Sequence, residues 1–190
     1  MRKLWSVLPM ALACCFWSCT TRQVVDDFKG STAQRLTTYS IDAVMDKLPD
    51  DPLSLLADKQ VHLECAFPEA IPAIDYARRR LEMELIQRYN CAFVMSPEEA
   101  DLLLRFFFNS IGTDVDQAGF RTPEFALPGM GGMAGIDLLT LDMFHGVSEC
   151  YYYILDRERK VLAKSDRIKA VIRSDKVGLP IISFPVTHLK

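Results

Sequence analysis

The chain has 190 residues, 49% of them hydrophobic and 25% charged, with a formal net charge of −3 at neutral pH. That length suits one domain with a real core. The mildly acidic balance argues against nucleic acid as a partner, which wants a basic face. The densest basic cluster, Arg78, Arg79 and Arg80, fans over the surface of a predicted helix and is expected to be a solvated face.

The first residues follow the logic of an export signal. Arg2 and Lys3 make a positive start, Leu4 to Trp17 form an uncharged apolar run, and Ser18 and Cys19 follow. A run of about 14 residues is too short for a hydrocarbon core of roughly 30 Å, which takes about 20 helical residues, but it fits a signal h-region. Residues 1–18 are therefore expected to be a lipoprotein signal peptide. Cys19 would take the diacylglyceryl group and become the N-terminus, with Cys14 as the alternative. Cys15, with another cysteine directly before it, fits less well. A plain N-terminal anchor or a secreted chain cut nearby are the readings without lipid. Lipidation converts a soluble domain into an anchored one, at about 0.8 kcal/mol per buried methylene. Thr20 rather than aspartate follows Cys19, which by the sorting rule of enteric bacteria favours the outer membrane, facing the periplasm.

Residues 19–30 form a polar tether, and residues 31–190 a single domain. Ser31 and Gln34 have the spacing of a capping box. Leu36, Tyr39, Ile41, Ala43, Val44 and Leu48 give a helical period that Pro49 to Pro52 ends. Val61, Leu63, Cys65 and Phe67 alternate with His62 and Glu64, the pattern of a half-buried strand. From Pro72 to Tyr89 the helical period returns, with Ile74, Ala77, Leu81, Leu85 and Tyr89 on one face. Cys91 to Met95 is a short apolar strand, and Ser96, Pro97, Glu98 and Glu99 cap a single helical turn. Leu102 to Ile111 is the most apolar strand, and apolar residues on both its faces predict a central place. Residues 112–146 break pattern and are expected to form an irregular apolar loop, with a short helix over 137–145. Ser148 to Leu155 and Val161 to Lys164 form a hairpin, and Ile168 to Ile172 extends it. Pro180 and Pro185 mark the tail as an edge. Together these elements predict an α/β (or α+β) fold. It is a single mixed-sheet domain with two main helices and a C-terminal antiparallel hairpin or meander.

Chemistry-bearing motifs are sparse, and no catalytic, cofactor-binding or metal-binding residue is assigned. Gly129, Gly131 and Ala134 fit the G-x-G-x-x-A spacing, but that fingerprint needs a strand before it and a helix after it; prolines at 123 and 128 favour a loop. His62 with Glu64, and His145 with Cys150, lack the spacing and the second ligand pair of a zinc site. No Gly-x-Ser-x-Gly elbow occurs, and Glu98 with Glu99 is explained by the cap. Three cysteines remain beyond the lipid site, so at most one internal disulfide forms. Cys65 with Cys91 is the candidate, and buried free thiols are the alternative.

The residues from Lys59 to Leu63, the Ile74–Tyr89 helix, Glu99 to Asp101, Ser110 to Asp114, Tyr153 to Asp156 and the Gly178/Pro180 tail resemble an uncharacterised domain of bacterial lipoproteins. The resemblance covers most of residues 31–185 and implies an envelope lipoprotein without naming an activity. The chain departs from it at Asp156 to Arg159, where a turn glycine is expected. More distantly, the order of elements is similar to envelope-assembly lipoproteins of the curli-secretion type, a likeness of fold that does not fix function.

The sequence thus points first to a membrane-anchored, non-enzymatic module that binds another envelope protein, with Met-rich apolar surface at 112–146 suited to adaptable contacts. The alternative is a periplasmic small-ligand binder or enzyme using His145 or the 112–146 segment as a lid. A third reading is self-assembly, with 126–145 inserting into the membrane.

Overall fold

The computed structural model describes residues 22–23, 30–68, 72–121, 125–126, 133–134, 137–180 and 182–186. The expected signal peptide, with Cys14, Cys15 and Cys19, lies outside them. Among the described residues three helices and one large mixed sheet carry the fold, the mixed α/β arrangement expected with a short third helix added to the two main ones. The helices are α1 (Ser31–Asp46), α2 (Asp50–Leu53, continued by a 3-10 turn Ser54–Leu56) and α3 (Ile74–Tyr89). The strands of the main sheet are β1 (Arg22–Gln23), β2 (Gln60–Ala66), β3 (Ala92–Phe93), β4 (Leu102–Arg121), β7 (Asp137–Leu155), β8 (Val161–Lys164), β9 (Ile168–Gly178) and β10 (Ser183–Pro185). Its order is β10-β9-β7-β4-β2-β3, with β1 also on β4 and β8 also on β7. A separate antiparallel pair joins β5 (Phe125–Ala126) to β6 (Met133–Ala134).

Two compact units divide the chain. The first holds residues 28–113 and 145–172, and the second residues 1–27, 114–144 and 173–190.

In the first unit, β2 runs parallel to both β3 and β4, and α3 makes the crossover that a parallel β2–β3 pair needs. Burial follows the predicted periods. Leu36, Ile41, Val44 and Met45 of α1, and Ala77, Leu81, Leu85 and Tyr89 of α3, are buried. They share one cluster with Val61 and Leu63 of β2, Leu104, Phe106 and Phe108 of β4, and Cys150, Tyr152 and Ile154 of β7, Leu36 excepted. Leu36 instead meets β7 at Gly146, where a Cβ would stand 2.1 Å from the Leu36 carbonyl oxygen. Only glycine lets the helix backbone come so near the strand. The central place expected for the Leu102–Ile111 run is the one β4 occupies, between β7 and β2.

Several boundaries differ from expectation for identifiable reasons. The capping box is not formed. Gly30, at φ 132°, is the residue before α1, no side chain caps it, and its carbonyl accepts the Gln34 N–H at 3.1 Å. A glycine-only backbone angle sets the helix entry one residue ahead of Ser31. Pro49 to Pro52 do not simply end the helix; they lead into α2, which brings Leu53 and Leu56 into the core. Asn90 closes α3 in the left-handed conformation, its N–H bonded to the Ile86 carbonyl. Ser96 to Ala100 make a turn without a helix, and the Ser96 hydroxyl reaches the Glu98 carboxylate instead of a backbone donor. Arg159 takes φ 64° in the β7–β8 turn, at the stretch where a glycine was expected.

The largest correction concerns residues 112–146. Their described parts are strands, and 137–145 is not a helix: β4 continues to Arg121 and β7 begins at Asp137. In the second unit these strand portions pack backbone to backbone, since a Cβ on Gly119 would stand 2.4 Å from the Leu139 carbonyl oxygen. Arg22 and Gln23, placed in the expected tether, pair antiparallel with Gln117 and Asp116. β10 pairs with β9, as the edge reading of the tail anticipated. Leu179 donates to the Ile182 carbonyl and Val186 to that of Asp175. By the alternation of an antiparallel ladder, Ser183 and Pro185 then direct their backbone outward.

Candidate functional site

In the first unit both long helices pack on the sheet face that carries Leu104, Phe106, Phe108 and Tyr152. Strand alternation sends the intervening residues to the other face. There, no helix of the described residues covers the sheet, and a small apolar cluster of Ala100, Leu103 and Leu155, flanked by Val94 and Tyr153, is its only buried patch among them.

Three aromatic rings occupy the middle of this open face. Phe107 stacks on Tyr151 with centroids 5.1 Å apart and planes within 9°. Tyr153 stands edge-on to both, 6.0 Å from Phe107 and 5.9 Å from Tyr151. Offset-stacked and edge-to-face pairs of this kind are the favourable ones. The Lys164 ammonium sits 5.6 Å from the Tyr153 ring centroid, within cation–π range. The β7–β8 register, Tyr153 opposite Lys164, puts it there.

Charged pairs flank the rings. On one side Arg105 donates to Glu64 at 2.7 Å across the β2–β4 register. On the other, Glu149 accepts from Asn109 at 2.9 Å and lies 3.7 Å from Arg167. Tyr151, Tyr153, Lys164, Ser165, Asp166 and Arg167 line a shallow hollow of about 270 Å³. Ser165 holds its shape: its N–H donates to the Tyr152 carbonyl and its hydroxyl oxygen accepts the Tyr152 N–H. A side chain thus completes the ladder where β8 gives way to β9. Tyrosine and arginine are among the residue types enriched where interface energy concentrates, whereas lysine is depleted there.

Of the residues weighed for catalysis or metal binding, His62 and Glu64 approach each other without a third ligand beside them among the described residues. The His62 ring Nδ1 lies 3.2 Å from the Val94 carbonyl, and its Nε2 lies 3.9 Å from Glu64. Among the described residues no group of three or more His, Cys, Asp or Glu side chains could hold a metal ion. Cys150 is buried with the core, while His145 has the opposite parity on β7. Cys65 and Cys91 are both free thiols. The register sets Cys91 beside Lys59, six residues from Cys65 along parallel strands. That is roughly 20 Å, well beyond a disulfide's reach. Burial pushes the Cys65 and Cys150 thiols up to about 12 and raises that of Cys91, so none supplies a thiolate near neutral pH.

Gly129 and Gly131 lie outside the described residues, and Met133–Ala134, where the fingerprint's helix would begin, is a strand. Arg78 pairs with Glu82, and Arg80 with Asp42, Asp46 and Glu84. The described residues of the 112–146 segment are strands; Thr140 and Asp142 line a shallow depression of about 320 Å³ with Lys176 and Ser183.

Phe107 belongs to the apolar second face of the Leu102–Ile111 run, but its partners are not legible in that run alone. The usable signal was parity: Phe107, Tyr151 and Tyr153 all alternate with core residues, and pairing β4 with β7 aligns them.

No helix among the described residues is long and apolar enough to cross a membrane. No family model and no curated protein matches the chain. Among solved structures it is similar to the uncharacterized lipoprotein B from Nitrosomonas europaea, at 15% identity over 72% of this chain and 69% of that one, with a TM-score of 0.35. It is also similar to a neuraminyllactose-binding hemagglutinin homolog from Helicobacter pylori, at 13% identity over 63% and 67% of the two chains, with a TM-score of 0.31. Likeness at this level carries no functional argument.

Proposed function

We propose that this chain is a lipid-anchored protein of a bacterial cell envelope that binds another envelope protein without catalysing a reaction. The lipid is carried on Cys19, with the outer membrane as the favoured site. The observation that supports binding is the open sheet face, where Phe107, Tyr151 and Tyr153 form a preordered aromatic surface beside Lys164. Rings already packed on one another lose little freedom on association, which leaves more of the contact energy as affinity. Lys164 borders the rings, while Arg167 pairs with Glu149 and Asp166 lines the same hollow, so the partner segment that fits sets a carboxylate at Lys164 next to an apolar side chain.

A photocrosslinking amino acid at Tyr153 tests the reading in the bacterium that makes the protein. One discrete heavier adduct is expected there, and none from the same residue at Met83, which stands 61% exposed on α3. Equal or absent crosslinking at the two positions would rule the face out. Replacing both Tyr151 and Tyr153 by alanine should weaken capture by at least about tenfold, the loss of an interface anchor. The anchor is tested separately by mass spectrometry of the mature N-terminal peptide, where an unmodified Cys19 inside an intact tryptic peptide refutes it.

A further inference from the structure

Most exposed apolar side chains described in the second unit gather at one end, with Phe184 farther along β10 and Val186 just past it. Phe120, Leu138 and Leu139 are 44%, 52% and 39% exposed, and Leu179 and Ile182 are 48% and 53% exposed. Their convergence follows from backbone contacts. Gly119 lies against the Leu139 carbonyl, which places the next residue of β4, Phe120, beside Leu138 and Leu139. Gly178 lies against Thr140, and the Leu179 N–H bonds to the Ile182 carbonyl, so the β9–β10 turn closes at the same end. Exposed apolar clusters on strands mark contact surfaces.

The N-terminal segment identifies what this end meets. Arg22 pairs with Gln117 and Gln23 with Asp116, antiparallel. Arg22 thus lies nearer the Phe120 end of β4 than Gln23 does. Cys19 precedes Arg22 by three residues, a reach of at most about 11 Å. Lipid on Cys19 consequently holds a bilayer close to the same end.

We propose that the end formed by Phe120, Leu138, Leu139, Leu179 and Ile182 rests in the acyl boundary of the membrane that carries the anchor. This inference rests on the lipid anchor proposed above. Apolar area buried at the interface adds to the hold of the acyl chains, and the lipid fixes which surface is presented.

Both tryptophans of the sequence, Trp5 and Trp17, lie in the expected signal, so a tryptophan placed in the mature chain reports alone. Leu139→Trp, Phe120→Trp and the control Val161→Trp, which is 52% exposed in the first unit, would be made in the full lipidated chain. Each would be reconstituted into phosphatidylethanolamine–phosphatidylglycerol vesicles with brominated acyl chains. Quenching should be at least about threefold stronger at 139 and 120 than at 161. Protein that carries lipid and floats with vesicles, yet is quenched no more at 139 and 120 than at 161, overturns the contact and leaves the anchor standing. Unlipidated Cys19 overturns the anchor, and quenching at 139 and 120 by vesicles of the same composition then supports the contact by itself or, by its absence, overturns it. Unquenched emission with a dimer in detergent assigns the end to a second copy and overturns the proposal.

Discussion

The hydroxyls of Ser40 on α1 and Ser148 on β7 meet at 2.7 Å with both side chains fully buried, 108 residues apart in sequence. Ser40 also donates to the Thr37 carbonyl at 2.8 Å, so Ser148 is the donor between the two hydroxyls. Ser40→Ala then strands the buried Ser148 O–H and should cost about 1–3 kcal/mol, whereas Ser148→Ala removes only the donor to the Ser40 oxygen and should cost about 1 kcal/mol. The double alanine variant should cost clearly less than the sum, because it removes both polar groups at once. Urea unfolding of the four proteins measures the cycle, and additive losses would contradict this assignment.

Gly146 and Gly112 offer a contrast within the same unit. A methyl at 146 collides with the Leu36 backbone, while nothing lies within 4 Å of one at 112. Gly146→Ala should therefore destabilise by about 3 kcal/mol, as overpacking against backbone does. Gly112→Ala should be neutral or gain up to about 1 kcal/mol from chain entropy. Thermal unfolding of both variants compares them directly.

Acid should weaken the contact between α1 and α3. Glu84 is buried and takes a 2.5 Å bond from each of Arg80 and Arg88. Burial pulls its carboxyl up, but the two guanidiniums outweigh that and hold it below the usual carboxylate range. A depressed acid stabilises the fold above its unfolded value, near 4.5, and loses that contribution as pH falls through the lower folded value. Glu84→Gln should cost about 3 kcal/mol at pH 7, with the gap to wild type closing below pH 4. Urea titrations at pH 7, 5 and 3 follow it; a gap independent of pH would be wrong for this network.

Arg159 bears a left-handed backbone that costs a side-chain-bearing residue about 1–2 kcal/mol. Arg159→Gly removes this strain and gives back part as unfolded-chain entropy. A net gain of about 0.5–1 kcal/mol is expected in a denaturant titration, and a loss would mean that the side chain itself holds the turn.

The sequence pattern was most informative where one face of an element meets one core. The faces of α1, α3, β2 and the first half of β4 follow from the spacing of Leu36 and Ile41, of Leu81 and Leu85, of Val61 and Leu63, and of Leu104 and Phe106. It was least informative at 112–121 and 137–145. Gly112, Asp114, Asp116 and Gly119 have poor strand propensity, and Leu138 to Phe144 fits a helical period as readily as a strand. Pairing with a distant strand decides those residues, and single-segment patterns do not contain it. The aromatic face was hidden for the same reason, since Phe107 and Tyr151 meet only once the register is known. Cys65 and Cys91 failed as a pair because adjacency of strands says nothing about position along them.

Proline at position 185 has one more consequence. It stands on the outermost strand, at a position whose backbone turns away from β9, and it has no N–H to offer there. A foreign strand laid along this border meets a missing rung, which blocks the continuous ladder that edge-to-edge growth requires. On the lipid anchor proposed above, molecules would be crowded in two dimensions, where such growth would be fastest. The ring of one residue would then guard such a population against turning into fibres.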